Sequence, residues 1–157
     1  MQVYTDVMDR KHLPQIIAIE QDTAEPLALW AEEDFLRELA GPNTTGRVAL
    51  GAADEVLGFI VYEVCTKKFH ILHLGVSPQV EAALYFMVIQ LLLSDLTKKV
   101  QSGGRVAVTF SVRERNVALQ KVLAKCGFHA FKVRRGFFVD TDEDAFLFKF
   151  EREVAKV

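Results

Sequence analysis

At neutral pH, chemistry on a protein needs a side chain that can exchange a proton or attack a carbon, and few positions in this chain offer one. His73 leads them. It lies in KFHILHLGV, residues 68 to 76, where alternation along a strand puts it on the face opposite His70. An imidazole titrates where general bases work, so His73 reads either as a base or as a half-buried histidine satisfied by a neighbour. Tyr62, Glu63 and Glu114 are weaker candidates, since nothing in the sequence pairs them with a partner. Cys65 and Cys126 stand far apart without a second pair or flanking ligands, which predicts no zinc or other metal site and fits reduced cytoplasmic thiols. Asn116, just ahead of VALQKVLAK, has the residue type of an ordinary helix N-cap.

Binding chemistry has one natural place, SPQVEAALYFMVI at residues 77 to 89, where a strand hands over to a helix. Four unpaired N–H groups and the positive end of the helix dipole face outward at such a start, and glycine lets an anion approach the backbone there. This stretch has no glycine and no basic residue. From Ala82 to Ile89 it is apolar on every side, whereas a surface helix keeps a polar face. The patch at Leu84, Tyr85 and Phe86 therefore predicts burial by another chain, either a second copy or a different protein, the alternative being a helix covered by the chain's own neighbouring loops.

The elements that must position these residues follow from periodicity and punctuation. QVYTDV at residues 2 to 7 alternates as an edge strand, and Leu13, Ile16, Ile17 and Glu20 form a helical stripe with Pro14 in the first turn. A short helix over Glu32 to Leu39 ends at Gly41-Pro42-Asn43. GRVALGA and EVLGFIVYEV meet in a hairpin at Ala53-Asp54, and KFHILHLGV follows, stopping at Ser77-Pro78. A long helix is expected from about Gln79 to Lys99. After Ser102-Gly103-Gly104 come the strand RVAVTFSV and a helix from Asn116 to Lys125 closed by Gly127. AFKVRRGFFV and DAFLFKFE finish as an antiparallel pair. This order calls for an α+β fold, a mostly antiparallel mixed sheet of about seven strands with helices on both faces.

With 157 residues, half of them hydrophobic, and a net charge of −2, the chain reads as one globular domain over 1–157 with no nucleic-acid or membrane partner. Lys67-Lys68, Lys98-Lys99 and the cluster Lys132, Arg134, Arg135 are isolated and fit a solvated surface. The apolar run from Ala82 to Leu93, broken by Gln90, is too short to cross a bilayer, and MQVYTDVMDRK has no secretory core.

Segment by segment, the sequence resembles the GNAT superfamily of acetyltransferases, and within it the RimI-type protein N-terminal acetyltransferases. IAIEQD, LWAEEDFLREL, VLGFIVYE, HILHLGVSP, SVRERNVALQKVLAKCGF and RRGFFVDTDEDAFLF carry the likeness, from about Val3 to Phe150. The resemblance implies acetyl-CoA-dependent transfer to an amine, with the pantetheine between the strand of His70 to Val76 and that of Arg105 to Val112. Backbone at Leu74, Gly75 and Val76 would pair with it, Asn116 would sit near the cofactor arm, and the diphosphate would lie at the next helix start. The family's glycine-bearing turn falls on Glu81, Ala82, Ala83, Leu84, Tyr85 and Phe86, and none of its residues survives. Glu81 has the wrong sign for phosphate, and Leu84 and Phe86 stand in the glycine positions. The family's catalytic glutamate falls on Ser111, its catalytic tyrosine on Leu123 and a tyrosine pair on Phe137 and Phe138, while Cys126 fills a packing position.

These departures predict a GNAT-fold, RimI-like protein degenerate in acetyl-CoA binding and catalysis, acting in the cytoplasm as a binding or regulatory subunit. The alternative is a divergent but active N-acetyltransferase for a protein N-terminal or other amine. There the cofactor would be held by strand backbone near Gly75, with His73 or a water as base. A sensor that uses the cleft without transfer is the third reading.

Overall fold

The computed structural model describes residues 2–23 and 30–152. β1 (Tyr4–Val7) leads through a single 3-10 turn (Arg10–His12) into α1 (Leu13–Thr23). There follow α2 (Glu32–Ala40), β2 (Thr44–Leu50), β3 (Val56–Val64), β4 (Lys68–Val76) and α3 (Ala82–Gln101). The last elements are β5 (Ala107–Arg113), α4 (Val117–Lys125), β6 (His129–Phe138) and β7 (Glu143–Glu151). The seven strands form one sheet in the order β1-β2-β3-β4-β5-β7-β6. β4 and β5 run parallel; β1 with β2, β2 with β3, β5 with β7 and β6 with β7 run antiparallel. The α+β class, the strand number and the element order are those expected.

The chain makes two compact units, one from the sequence up to Val64 plus Leu72–Leu93, the other from Cys65–Ile71 plus the sequence from Ser94 onward. In the first, two glycines show why helices lie on both faces. A Cβ on Gly58 would sit 2.9 Å from Val88 of α3, and one on Gly75 would sit 2.8 Å from Phe59 and 3.1 Å from Ile19 of α1. Gly58 and Phe59 are neighbours on β3 and point to opposite faces, so α3 covers one face and α1 the other. Leu13, Ile16, Ile19 and Phe35 bury against Val48, Phe59 and Val61, and this is where the free energy of the unit resides.

α3 begins at Ala82, later than the pattern suggests. Ser77 closes a turn first: its carbonyl accepts the Val80 N–H at 3.0 Å and its hydroxyl accepts the Gln79 N–H at 3.3 Å. The helix starts only where the Glu81 carbonyl accepts the Leu84 N–H at 2.9 Å.

In the second unit β5 buries Val108, Phe110 and Val112, and α4 buries Leu119, Val122 and Leu123. α4 ends with the Phe128 N–H on the Leu123 carbonyl at 2.9 Å and the Gly127 N–H on the Ala124 carbonyl at 3.1 Å. This closure needs a left-handed residue, and Gly127 has φ +91°. A Cβ there would also stand 3.1 Å from the Phe150 ring, so Gly127→Ala is expected to cost about 1–2 kcal/mol. The check is a lower urea midpoint at unchanged slope; an unchanged midpoint would show that the backbone relaxes freely.

Candidate functional site

His73 comes to rest inside the first unit, 5% exposed, with its Nδ1 bonded to Oε1 of Glu20 on α1, itself 2% exposed. Oε2 of Glu20 accepts the backbone N–H of Trp30 at 3.2 Å, and the Trp30 and His73 rings lie with centroids 4.1 Å apart. Phe35 stands 5.9 Å away on another side. Helical spacing from Ile16 puts Glu20 on the buried stripe of α1, and alternation turns His73 inward from β4. A carboxylate that fixes one imidazole nitrogen can orient a general base, and it equally satisfies a core histidine. His70 belongs to the second unit, where its Nδ1 lies 2.7 Å from Oγ1 of Thr109 on β5.

Leu74, Gly75 and Val76 follow His73 and are buried. Gly75 is glycine because Phe59 and Ile19 fill the place of a side chain. Past Val76 the Ser77 N–H continues the ladder to the Leu57 carbonyl at 2.8 Å, and the chain turns. Beside this turn opens a cavity of about 480 Å³ whose polar lining is Gln15, Glu55, Ser77, Gln79 and Glu81, with Leu84 at the helix start. No lysine or arginine lines it among the described residues. Gln15 is already engaged by the Val56 N–H at 2.9 Å, and Glu55 accepts the Ala53 N–H at 3.1 Å. The two carboxylates make this a place that repels anions. Leu84, Tyr85 and Phe86 are half-buried, and the exposed residues of the first turn are Ala82 and Ala83.

The second unit brings together VRERN and DTDEDA. Arg113, at the end of β5, sets Nη1 3.1 Å from Oδ1 and Nη2 3.1 Å from Oδ2 of Asp140, a two-pronged pair. Nη1 also reaches Oγ1 of Thr141 at 3.2 Å and Oε1 of Glu143 at 3.3 Å. The guanidinium lies 4.1 Å from the Phe138 ring centre, and its buried Nε has no hydrogen-bond partner among the described residues. Arg115 donates to Glu143 from Nη2 at 2.8 Å and from its amide at 3.2 Å. The Arg115 guanidinium, ahead of the Thr141 hydroxyl, the Arg115 amide and Arg113, holds the Glu143 carboxyl at about 2 against the opposing effect of burial. Arg113 likewise holds Asp140 below its ordinary value. The motif that carries the family likeness is thus a charged clamp between β5 and the β6–β7 hairpin. Sequence pattern alone does not mark Arg113, Arg115 and Glu143 as a cluster; the signal it offers is the arginines of VRER and the acids of DTDED.

Where a transfer reaction would look for proton donors and acceptors, the second unit has packing residues. Leu123 is 0% exposed, and Phe138 is 1% exposed beneath Arg113. Phe137 is half-buried and meets Phe138 edge-on at 5.1 Å, while Ser111 is half-buried on β5. Asn116 takes the N-cap geometry, its Oδ1 accepting the Leu119 N–H at 3.1 Å. Burial pushes the Cys126 thiol up, so it is protonated at neutral pH. Tyr62 is buried and Glu63 exposed, and Glu114 accepts the Asp144 N–H at 3.3 Å. Among the described residues no cluster of three or more His, Cys, Asp or Glu is arranged to hold a metal, and no helix is long and apolar enough to cross a membrane.

This element order, with a parallel β4–β5 pair in an otherwise antiparallel sheet, is the GNAT fold of N-acetyltransferases. The chain matches the ribosomal-protein-S18-alanine N-acetyltransferase from Escherichia coli with a TM-score of 0.77 and 18% identity, over 99% of this chain and 97% of that one. NAA60 from Arabidopsis thaliana with a bisubstrate analogue matches at 0.82 and 16% identity, over 98% and 100% of the two chains. The same protein in complex with acetyl-CoA matches at 0.78 and 15%, over 96% and 98%. No family model matches the sequence, and no curated protein matches it. At these identities the likeness is one of fold, and a fold does not carry its neighbours' substrates with it.

Proposed function

We propose that this chain is a GNAT-fold, RimI-like protein degenerate in acetyl-CoA binding and catalysis, and that it acts in the cytoplasm as a binding or regulatory subunit. The observation that carries the reading is the turn from Ser77 to Glu81 with its cavity. The fold implies acetyl-CoA, as NAA60 holds it, yet a diphosphate beside Leu84 would face Glu55 and Glu81 with no lysine or arginine in the lining among the described residues to balance it. Like charges 4 Å apart repel by about 1 kcal/mol in water and by more in a half-enclosed site. The residues present do not fit the group. Leu123 and Phe138 agree with this, since both belong to the core and neither has a proton to give. Cys65 and Cys126, neither in a disulfide among the described residues, support the cytoplasm. Leu84, Tyr85 and Phe86 stay part of the proposal as a contact for a protein partner or second copy, beside exposed Ala82 and Ala83.

The test is a calorimetric titration of acetyl-CoA into the purified protein. No saturable heat is expected up to millimolar ligand, and saturation in the micromolar range would overturn the reading. One observation favours the second reading, an active N-acetyltransferase for a protein N-terminal or other amine: Glu20 holds Nδ1 of His73 as an orienting carboxylate holds a base. That reading requires micromolar acetyl-CoA binding, and transfer to an N-terminal peptide that His73→Gln abolishes.

A further inference from the structure

β6 is one of the two terminal strands of the sheet, and most of it is exposed. One edge pairs with β7, and no strand of the sheet lies along the other among the described residues. Every residue from His129 to Arg135 is exposed. Alternate residues point to opposite faces, so neither face of this stretch is roofed by a helix. It carries Phe131 at 44% and Val133 at 48% exposure, set among cations. Arg135 has an acidic neighbour on β7, Asp144 at 3.3 Å, and the His129 imidazole lies 3.9 Å from Glu151. Lys132 and Arg134 make no ion pair among the described residues; the Arg134 guanidinium lies only over the Phe137 ring, 5.9 Å from its centre.

We propose that the free edge of β6 takes up an acidic, extended segment of a partner protein as an added strand. An open edge supplies unpaired N–H and C=O groups for main-chain pairing, and the side chains on it choose the partner. Charge complementarity selects carboxylates opposite Lys132 and Arg134 with a β-branched or apolar residue between them, against Val133. A second copy of the chain is the wrong occupant. The ladder to β7 breaks between Ala130 and Lys132 and again between Arg134 and Phe138, leaving Lys132–Arg134 as the regular stretch. Antiparallel self-pairing about Val133 would set Lys132 against Arg134 twice, and like charges directly opposite are destabilising. Nucleic acid fits less well, because two unpaired cations on a chain of net charge −2 neutralise few phosphates.

The probe is a fluorescein-labelled peptide of alternating glutamate and valine, followed by anisotropy at low salt. Saturable micromolar binding is expected, weakening as salt rises and falling at least about tenfold in the doubly charge-reversed protein, Lys132→Glu with Arg134→Glu. Both positions are exposed, and circular dichroism verifies that the variant is folded. N-methylation of alternate peptide amides should abolish binding, since it blocks main-chain pairing and leaves the charge intact. No saturation up to millimolar peptide, equal binding of the N-methylated peptide, equal binding to the variant, or tighter binding of a single-stranded oligonucleotide would each overturn the proposal. None of these readouts involves acetyl-CoA, so the outcome is separate from that of the proposed function.

Discussion

Glu20→Ala is expected to lower folding stability by about 3–5 kcal/mol, because the His73 imidazole and the Trp30 N–H lose the buried acceptor they now share. Glu20→Gln has the same shape and one acceptor oxygen, so it should lose less, about 1–2 kcal/mol. Replacing both ends, Glu20→Leu with His73→Leu, leaves no polar group stranded and is expected to recover most of the loss. Trp30 is the one tryptophan in the sequence and its ring lies tilted against the imidazole, centroids 4.1 Å apart, so its emission through a urea titration reports on the pair. A loss below about 1 kcal/mol for Glu20→Ala would mean that water reaches the pair in the native protein. In that event His73 has access to solvent, which the second reading, an active N-acetyltransferase, requires.

The pair also shows what could and could not be read beforehand. Glu20 belongs to the stripe Leu13, Ile16, Ile17, and a carboxylate on an apolar stripe announces a buried partner. Which partner it has depends on a contact between α1 and β4 spanning 53 residues, and periodicity says nothing about such pairs. Element order was legible because apolar period and glycine punctuation are local. The start of α3 was not, because the competing turn rests on the Ser77 hydroxyl and on Pro78, whose missing N–H suits a turn as well as a first helical turn. VRERN and DTDEDA were legible as a likeness and opaque as chemistry. Their meaning lies in the hairpin that returns Asp140 and Glu143 to Arg113, and without that return the acids read as one more solvated run.

That clamp carries the other large prediction. Arg113→Met is expected to cost about 3–5 kcal/mol, since Arg113 and Glu143 are a buried pair and the substitution also releases Asp140 and uncovers Phe138. Arg115→Ala should cost less, because its side chain is 70% exposed and Glu143 keeps Arg113. The clamp makes stability depend on pH with a definite sign. The Glu143 carboxyl titrates at about 2 when folded and at 4.5 in its ordinary state, so between those values the unfolded chain binds the extra proton. Its contribution is complete above 4.5 and is lost as pH falls through about 2; Asp140, also lowered by Arg113, acts in the same direction. Urea midpoints should therefore fall steadily from about pH 4.5 to about pH 2 in the native protein. Glu143→Gln should lower the midpoint at neutral pH and flatten that fall, because the variant has no carboxylate left to protonate. If the variant instead tracks the native protein across the whole window, the acid sensitivity belongs to another carboxylate and the clamp is held by Asp140 alone.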